Sequence, residues 1–316
     1  MSNRLTIKDI ARLSGVGKST VSRVLNNEGH VSDNTRERVL EVINQHSFSP
    51  SKSARAMRGQ SDKVVAIIIS RLDSPSENQA LRAMLPLFYE QGYDPIVMES
   101  QFSSQRVGEH LKVLHQRSVD GIVLFGFTEL DVEQLMPWQD KMVVMAREYP
   151  GLSSVCYDDA GAVSLLLNKL YEKGQRHISY VGVDAKDATT GKLRSQSYLD
   201  FCQQHNLTPA IALGELSYHS GFRLASQVLS PQTDAIVCAS DTIALGVTKY
   251  LQEQQASNVR VVGIGNNPLL KFLFPKSFSI DLGYEQAGNA AARLLLEQVL
   301  RSAAPQQIII PSKLAD

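Results

Sequence analysis

Between residues 6 and 45 apolar side chains recur at helical spacing, whereas from residue 64 onward they gather into short, nearly unbroken runs. The first pattern predicts three helices. Thr6 followed by Asp9 is a capping pair, with the Thr6 hydroxyl accepting from the third helical N–H and the carboxylate reaching back, so a helix should begin at Ile7. Ile7, Ile10, Ala11 and Leu13 give it one apolar face, and Gly15 supplies the left-handed residue that ends it. A second helix from Gly17 or Lys18 turns Val21, Val24 and Leu25 inward and leaves Lys18, Ser19, Ser22 and Arg23 on its other side. A third, capped at Ser32, carries Val39, Val42 and Ile43 inward. Two short helices joined by a tight glycine turn make a helix-turn-helix, whose second helix fits the major groove of DNA.

The second pattern comprises VVAIII (64–69), IVM near 97, GIVLFGF (121–127) and MVVMA (142–146), then HISYVGV (177–183), AIALGEL (210–216), AIVCAS (235–240) and VRVVGIG (259–265). Near-continuous β-branched runs alternating with helical stretches predict parallel strands buried on both faces, hence an α/β region. Two series predict two sheets and two subdomains. Ligands in such folds sit beyond the carboxyl ends of the strands, where facing subdomains can close on them. Those ends carry the run from Arg71 to Asn78, then Gly126, Arg147, Asp187 to Thr190, and Arg194. Arg71, Arg147 and Arg194 at successive strand ends favour an anionic ligand, because guanidinium forks suit phosphate. Asp241, after AIVCAS, either faces the same cleft or caps the helix starting at Thr242.

Charge sharpens the division. The chain of 316 residues is formally neutral. Residues 1–60 nevertheless hold ten basic and five acidic side chains, and the rest holds 22 and 27. A net +5 at one end is a footprint for a polyanion, with the remainder free to bind something else. Apolar residues at 43% and charged residues at 20% are those of a globular protein. No apolar run approaches the length needed to cross a bilayer, and MSNRLTIKDI lacks the apolar stretch of a signal peptide, so the expectation is a cytoplasmic protein without a membrane partner. Cys156, Cys202 and Cys238 are widely spaced and never arranged as CxxC, which predicts buried thiols rather than disulfides or a zinc site.

The segments LTIKDIARLSGVGKSTVSRVLNN, VSDNTRERV and FSPSKSARAMRG, in this order, resemble the DNA-binding headpiece of the lactose and galactose repressor family. The remainder is similar to that family's sugar-binding core, which is in turn like the periplasmic binding proteins. The resemblance implies an α/β, periplasmic-binding-protein-like core of two subdomains (61–316) behind an all-α headpiece (1–60). It places Lys18, Ser19 and Arg23 where operator bases are chosen and Thr20 and Ser22 at phosphates, with Thr6 and Asn26 also on the DNA side; arginine on guanine O6 and N7 is the sharpest of these expectations. Gly17 departs from the serine or threonine with which many relatives cap the recognition helix. Residues 50–59 would become a hinge helix only on DNA, wedging apolar side chains at Ala54 and Met57 into the minor groove.

The runs SARAMRGQSDKVVAII, FYEQGYDPI, MESQFS, SVCYDD and QIIIP look most like the branch of that family that governs trehalose use. That branch implies a repressor released from a palindromic operator by trehalose 6-phosphate, without cofactor or metal. By position its ligand contacts fall on Arg71, Leu72, Asp73, Ser74, Pro75, Ser76, Glu77, Gly126, Arg147, Asp187, Ala188, Thr189, Thr190, Arg194, Thr242 and Tyr284. Arg71 is expected at the phosphate, Asp187, Arg147 and Arg194 at sugar hydroxyls, and Tyr284 as a stacking surface. In a sister branch a purine strengthens operator binding instead, so the sign of the ligand's effect stays open, as does another sugar as effector. The chain stops at IIIPSKLAD without a leucine heptad, which favours a homodimer over a tetramer. An enzyme that processes a phosphosugar is the rival reading. Gly263-Ile264-Gly265 follows a strand as a dinucleotide site would, yet Pro268 stands where a third glycine is needed. Gly191-Lys192 resembles the end of a phosphate loop, but Lys186 and Leu193 replace its glycine and its magnesium-binding hydroxyl. No GxSxG, HExxH or paired-cysteine motif supplies a nucleophile or metal.

Overall fold

The computed structural model describes residues 5–26, 28–46, 48, 62–256, 258–275 and 277–315. The expected hinge segment at 50–59, with Ala54 and Met57, lies outside the described residues. The chain divides into two compact units, Met1–Asp62 and Lys63–Asp316.

In the first unit α1 (Ile7–Ser14), α2 (Lys18–Leu25) and α3 (Asp33–Gln45) enclose Ile10, Ala11, Val21, Val24 and Val39. Gly15 takes the left-handed conformation at φ 65° and turns the chain between α1 and α2. One local expectation changes. Leu13 is 45% exposed, and Ser14 occupies the core position instead, its hydroxyl donating to the Ile10 carbonyl at 2.6 Å. At 100° per residue Ser14 falls in line with Ile7, Ile10 and Ala11, while Leu13 does not. At the entrance the expected capping box of Thr6 and Asp9 is present. The Thr6 hydroxyl and backbone N–H also donate to the Asp9 carboxylate, at 2.6 and 2.9 Å, and those bonds lower its pKa.

The second unit holds two six-stranded sheets. The first contains β1 (Val64–Ile69), β2 (Asp94–Glu99), β3 (Gly121–Phe125), β4 (Met142–Met145), β5 (Ser153–Tyr157) and β11 (Gln307–Ile310), in the order β11-β5-β4-β3-β1-β2, all parallel. The second contains β6 (Ile178–Val183), β7 (Ala210–Gly214), β8 (Ala235–Cys238), β9 (Arg260–Ile264), β10 (Phe278–Asp281) and β12 (Lys313–Leu314), in the order β12-β10-β9-β8-β6-β7, parallel except for β12. Both sheets thus follow a doubly wound 2-1-3-4-5 order, whose switch point beside the first strand opens a crevice. Along β1 the pleat sends Val65, Ile67 and Ile69 to one core and Ala66 and Ile68 to another, which is why its sequence is apolar throughout.

The first sheet is flanked by α4 (Pro75–Glu90), α5 (Ser104–Gln116) and α11 (Tyr284–Arg301). The second is flanked by α6 (Asp159–Glu172), α7 (Arg194–Gln204), α8 (Tyr218–Val228) and α9 (Asp241–Glu253), with the short α10 (Pro268–Leu273) before β10. The chain crosses between the subdomains three times, after β5, after β10 and after β11. Strands β5, β10, β11 and β12 lie beyond the eight runs expected from the sequence. Polar residues interrupt two of them, since Ser153, Ser154 and Ser279 are buried with their strands. Cys202 and Cys238 are buried as expected, whereas Cys156 is only half-buried. No helix among the described residues is long and apolar enough to cross a membrane.

Candidate functional site

On the headpiece, Lys18, Ser19 and Arg23 are exposed on α2, and Thr20, Ser22 and Asn26 are half-buried beside them. Thr6 is exposed at the start of α1. Gly17 forms the N-cap of α2 without any side-chain bond to the first turn, leaving the recognition-type helix with free N–H groups at its positive end. Asn26 bonds the Glu28 carboxylate at 2.7 Å.

In the second unit the carboxyl ends of both sheets face one cleft of about 740 Å³, mouth included. It gathers Arg71, Ser74, Ser76, Glu77, Gly126, Arg147, Asp187, Thr189, Thr190, Arg194 and Tyr284. Pro75 and Thr242 line an adjoining recess with Asp241 and Asn267, and Leu72 and Asp73 lie at the outer mouth beside Glu99 and Glu215. Ala188 serves differently, since its N–H donates to the Thr128 hydroxyl at 2.9 Å and ties the Asp187 loop to the opposite subdomain. A larger recess of about 1310 Å³ near Leu251 and Phe274 lies away from this cleft and has Arg260 as its one charged lining residue among those described.

Local sequence explains how these side chains are aimed. Ser74 caps α4 and Pro75 opens it, the residue type suited to that first position. Glu77 then turns back along the strand end: it accepts from the Ser70 N–H at 2.7 Å and from the Ser70 hydroxyl. Burial outweighs these bonds and raises the Glu77 pKa. Gly126 lets β3 end against β4, because a Cβ there would stand 3.1 Å from the Arg147 Cβ and 3.0 Å from Val144. Ala146 takes a left-handed φ of 67° and turns Arg147 off the strand into the cleft. At the start of the single π-turn 188–193, the Asp187 carboxylate accepts from the Thr189 and Gly191 N–H groups at 3.1 and 2.9 Å.

The three arginines converge but are not electrostatically alike. Arg194 is 3% exposed, paired with Asp159 at 2.6 and 2.7 Å, and it also donates to the Ala239 carbonyl. Its charge is neutralised within the protein; burial pulls its pKa down, but the attraction of Asp159, the bond to it, and Tyr284 and Tyr180 together raise it. Arg71 meets the exposed Asp73 at 3.3 Å and reaches across the cleft to the Leu216 carbonyl at 3.5 Å. Arg147 keeps a buried Nη1 without a hydrogen-bond partner. A buried donor left unmade is costly, so this nitrogen is poised for an acceptor brought by a ligand. Asp241, at the first position of α9, faces inward. Its carboxylate accepts from the Asn267 N–H at 2.6 Å and the Ser279 hydroxyl at 2.8 Å, while Ser240 is the cap. Burial pushes the Asp241 carboxyl up to about 6.

Sequence patterning missed Asp159, Phe102, Phe127, Thr128, Tyr157 and Leu216, all of which line the cleft. Each ends or closely follows a strand, which is the positional signal that could have found them; Tyr157 ends, and Asp159 follows, a strand that was itself missed.

A model of the bacterial regulatory proteins of the lacI family matches residues 6–51, and one of the periplasmic binding protein-like domain matches residues 167–316. The HTH-type transcriptional regulator TreR of Escherichia coli K12 is 59% identical over 315 residues, covering 100% of both chains. The solved structure of the trehalose repressor from Escherichia coli superposes with a TM-score of 0.80 at 53% identity, over 81% of this chain and 100% of that one. The Lac repressor bound to ONPG has the same fold, with a TM-score of 0.87 over 99% of each chain at 20% identity. With its helix-turn-helix, its two-sheet core and a full-length relative at this identity, the chain belongs to the lacI family of bacterial regulatory proteins and is not an enzyme.

Proposed function

We propose that this protein is a repressor of trehalose uptake and utilisation genes, working in the cytoplasm as a dimer on a pseudo-palindromic operator and released by trehalose 6-phosphate. The observation that carries the proposal is the 59% identity, end to end, with the TreR regulator. The cleft supports a phosphorylated ligand through Arg71 at its mouth and the unpartnered Arg147 Nη1 within it. Arg71 would take the phosphate; Arg147, Asp187 and Glu77 would hold sugar hydroxyls. Arg194 acts on the sugar only with the donors its bonds to Asp159 and Ala239 leave over. On DNA, Lys18, Ser19 and Arg23 would read bases, and Thr20 and Ser22 would touch phosphates.

The ligand acts by linkage, so it lowers operator affinity only by as much as it prefers the released conformation. Calorimetric titration with trehalose 6-phosphate and trehalose, followed by operator release at fixed salt, tests this. Tight binding of the ester with loss of operator affinity is expected. Absence of binding would discard the ligand, and a strengthened DNA complex would make it a co-repressor.

A further inference from the structure

Sugar rings carry flat faces of C–H bonds, and an open aromatic face in a cleft can pack against them. Tyr284 does not offer such a face. It is 7% exposed, its ring meets Tyr157 edge-on at 5.0 Å, and its hydroxyl lies against Arg194. Phe102 does. It is 44% exposed, lines the cleft, and stands edge-on to Phe127 with ring centres 5.9 Å apart, which steadies the ring while leaving a face open.

The backbone beneath it is unusual. Gln101 and Phe102 are both left-handed, at φ 52° and 55°, a conformation that bulky residues rarely adopt. The turn is held from several sides. The Gln101 N–H donates to the Ser70 carbonyl at 2.9 Å, the Ser103 N–H to the Ser100 carbonyl at 3.0 Å, and the Gln101 amide is clamped between Glu99 at 2.9 Å and Arg106 at 2.5 Å. Such strain persists only where surroundings enforce it, and it collects at functional sites. A phenylalanine exposed there buries little surface on folding, so its place is explained by what packs on it afterwards.

We infer that Phe102 is the stacking platform of the cleft, a specificity-determining residue that packs on the apolar face of a sugar ring of the ligand. The inference rests on the proposal that the ligand is a sugar.

Phe102→Gly, Phe102→Ala and Phe102→Trp are to be titrated with trehalose 6-phosphate and with trehalose, beside the wild type, with thermal midpoints measured on the same unliganded samples. The Gly variant removes the ring and relieves the left-handed strain together. It should melt at or above the wild-type temperature while binding both sugars about tenfold more weakly. Ala should lose affinity similarly, and Trp should stay within about threefold of the wild type. Because stacking ignores charge, both sugars lose alike, whereas removing Arg71, proposed at the phosphate, would weaken the phosphorylated sugar more. Wild-type affinity in the Gly and Ala variants would overturn the platform, as would a fall in their melting temperature that accompanies the lost binding. A wild type that binds neither sugar would instead overturn the sugar ligand, and the platform with it.

Discussion

Arg147 and Arg71 are both cationic groups in one cleft, yet their removal should read out differently. Arg147→Ala deletes a buried donor that has no partner in the unliganded protein. Ligand affinity should fall by about 10- to 100-fold, the worth of a bond to a charged group, while the unliganded melting temperature holds or rises. A variant that melts lower would show that the guanidinium serves the fold. Arg71→Ala should weaken trehalose 6-phosphate more than trehalose, and equal losses would remove it from the phosphate. Asp241 makes a different prediction, concerning pH. Burial raises its carboxyl to about 6 from the ordinary value of 3.8, so above pH 4 the unfolded chain releases a proton that the folded protein still holds. The folded state therefore loses stability as pH rises from 4 to 6, and the loss is complete above that range. Asp241→Asn should gain on the wild type across this window by on the order of 2–3 kcal/mol, seen as a widening difference in denaturation midpoints. A difference that is constant with pH would mean the carboxylate is not held up by burial.

Among the elements, α8 and α9 illustrate packing that admits no side chain. A Cβ on Gly221 would strike the Ile243 carbonyl, and one on Gly246 would strike the Tyr218 carbonyl, so each helix offers a glycine to the other's backbone. Gly246→Ala should push these helices apart and cost about 1–3 kcal/mol in urea denaturation. The headpiece, a separate compact unit, should keep its helical circular dichroism in that variant. Most elements were visible as patterns. β1, β3, β6 and β8 are apolar on both faces because helices cover both sides of a parallel sheet, and α1 to α3 show their periodicity plainly. β5, β10, β11 and β12 were not visible. β5 and β10 bury serines within the sheet, and β11 alternates exposed and half-buried positions at a sheet edge. A strand of that kind exists because another strand is beside it, which no local pattern records.

At the scale of the molecule, two subdomains meet over a cleft and the chain passes between them three times. Arg71 to Leu216, Gln79 to Gly265 at 3.4 Å, and Ala188 to Thr128 bridge the gap with bonds that cost little to remake, so a ligand of modest size can bias the closure. A ligand at 100 times its dissociation constant should stabilise the second unit by about 2.7 kcal/mol, which a thermal scan detects; no shift at saturating trehalose 6-phosphate would exclude binding to the folded state. Operator affinity should fall linearly in log–log terms with salt, because the basic headpiece displaces counterions. Amino-acid order alone determined the helix-turn-helix, the charge divided between headpiece and core, the two sheets, and the strand ends that line the cleft, since each depends on neighbours within a few residues. Which of those strand-end groups remain unpartnered was decided by tertiary structure. Arg194 is neutralised by Asp159 from another helix and Tyr284, at the start of a helix, is covered by Tyr157 from a strand, while Arg147 and Phe102 keep their faces to the cleft. Partners distant in sequence set the local electrostatics and exposure, and these exist only once the chain has folded.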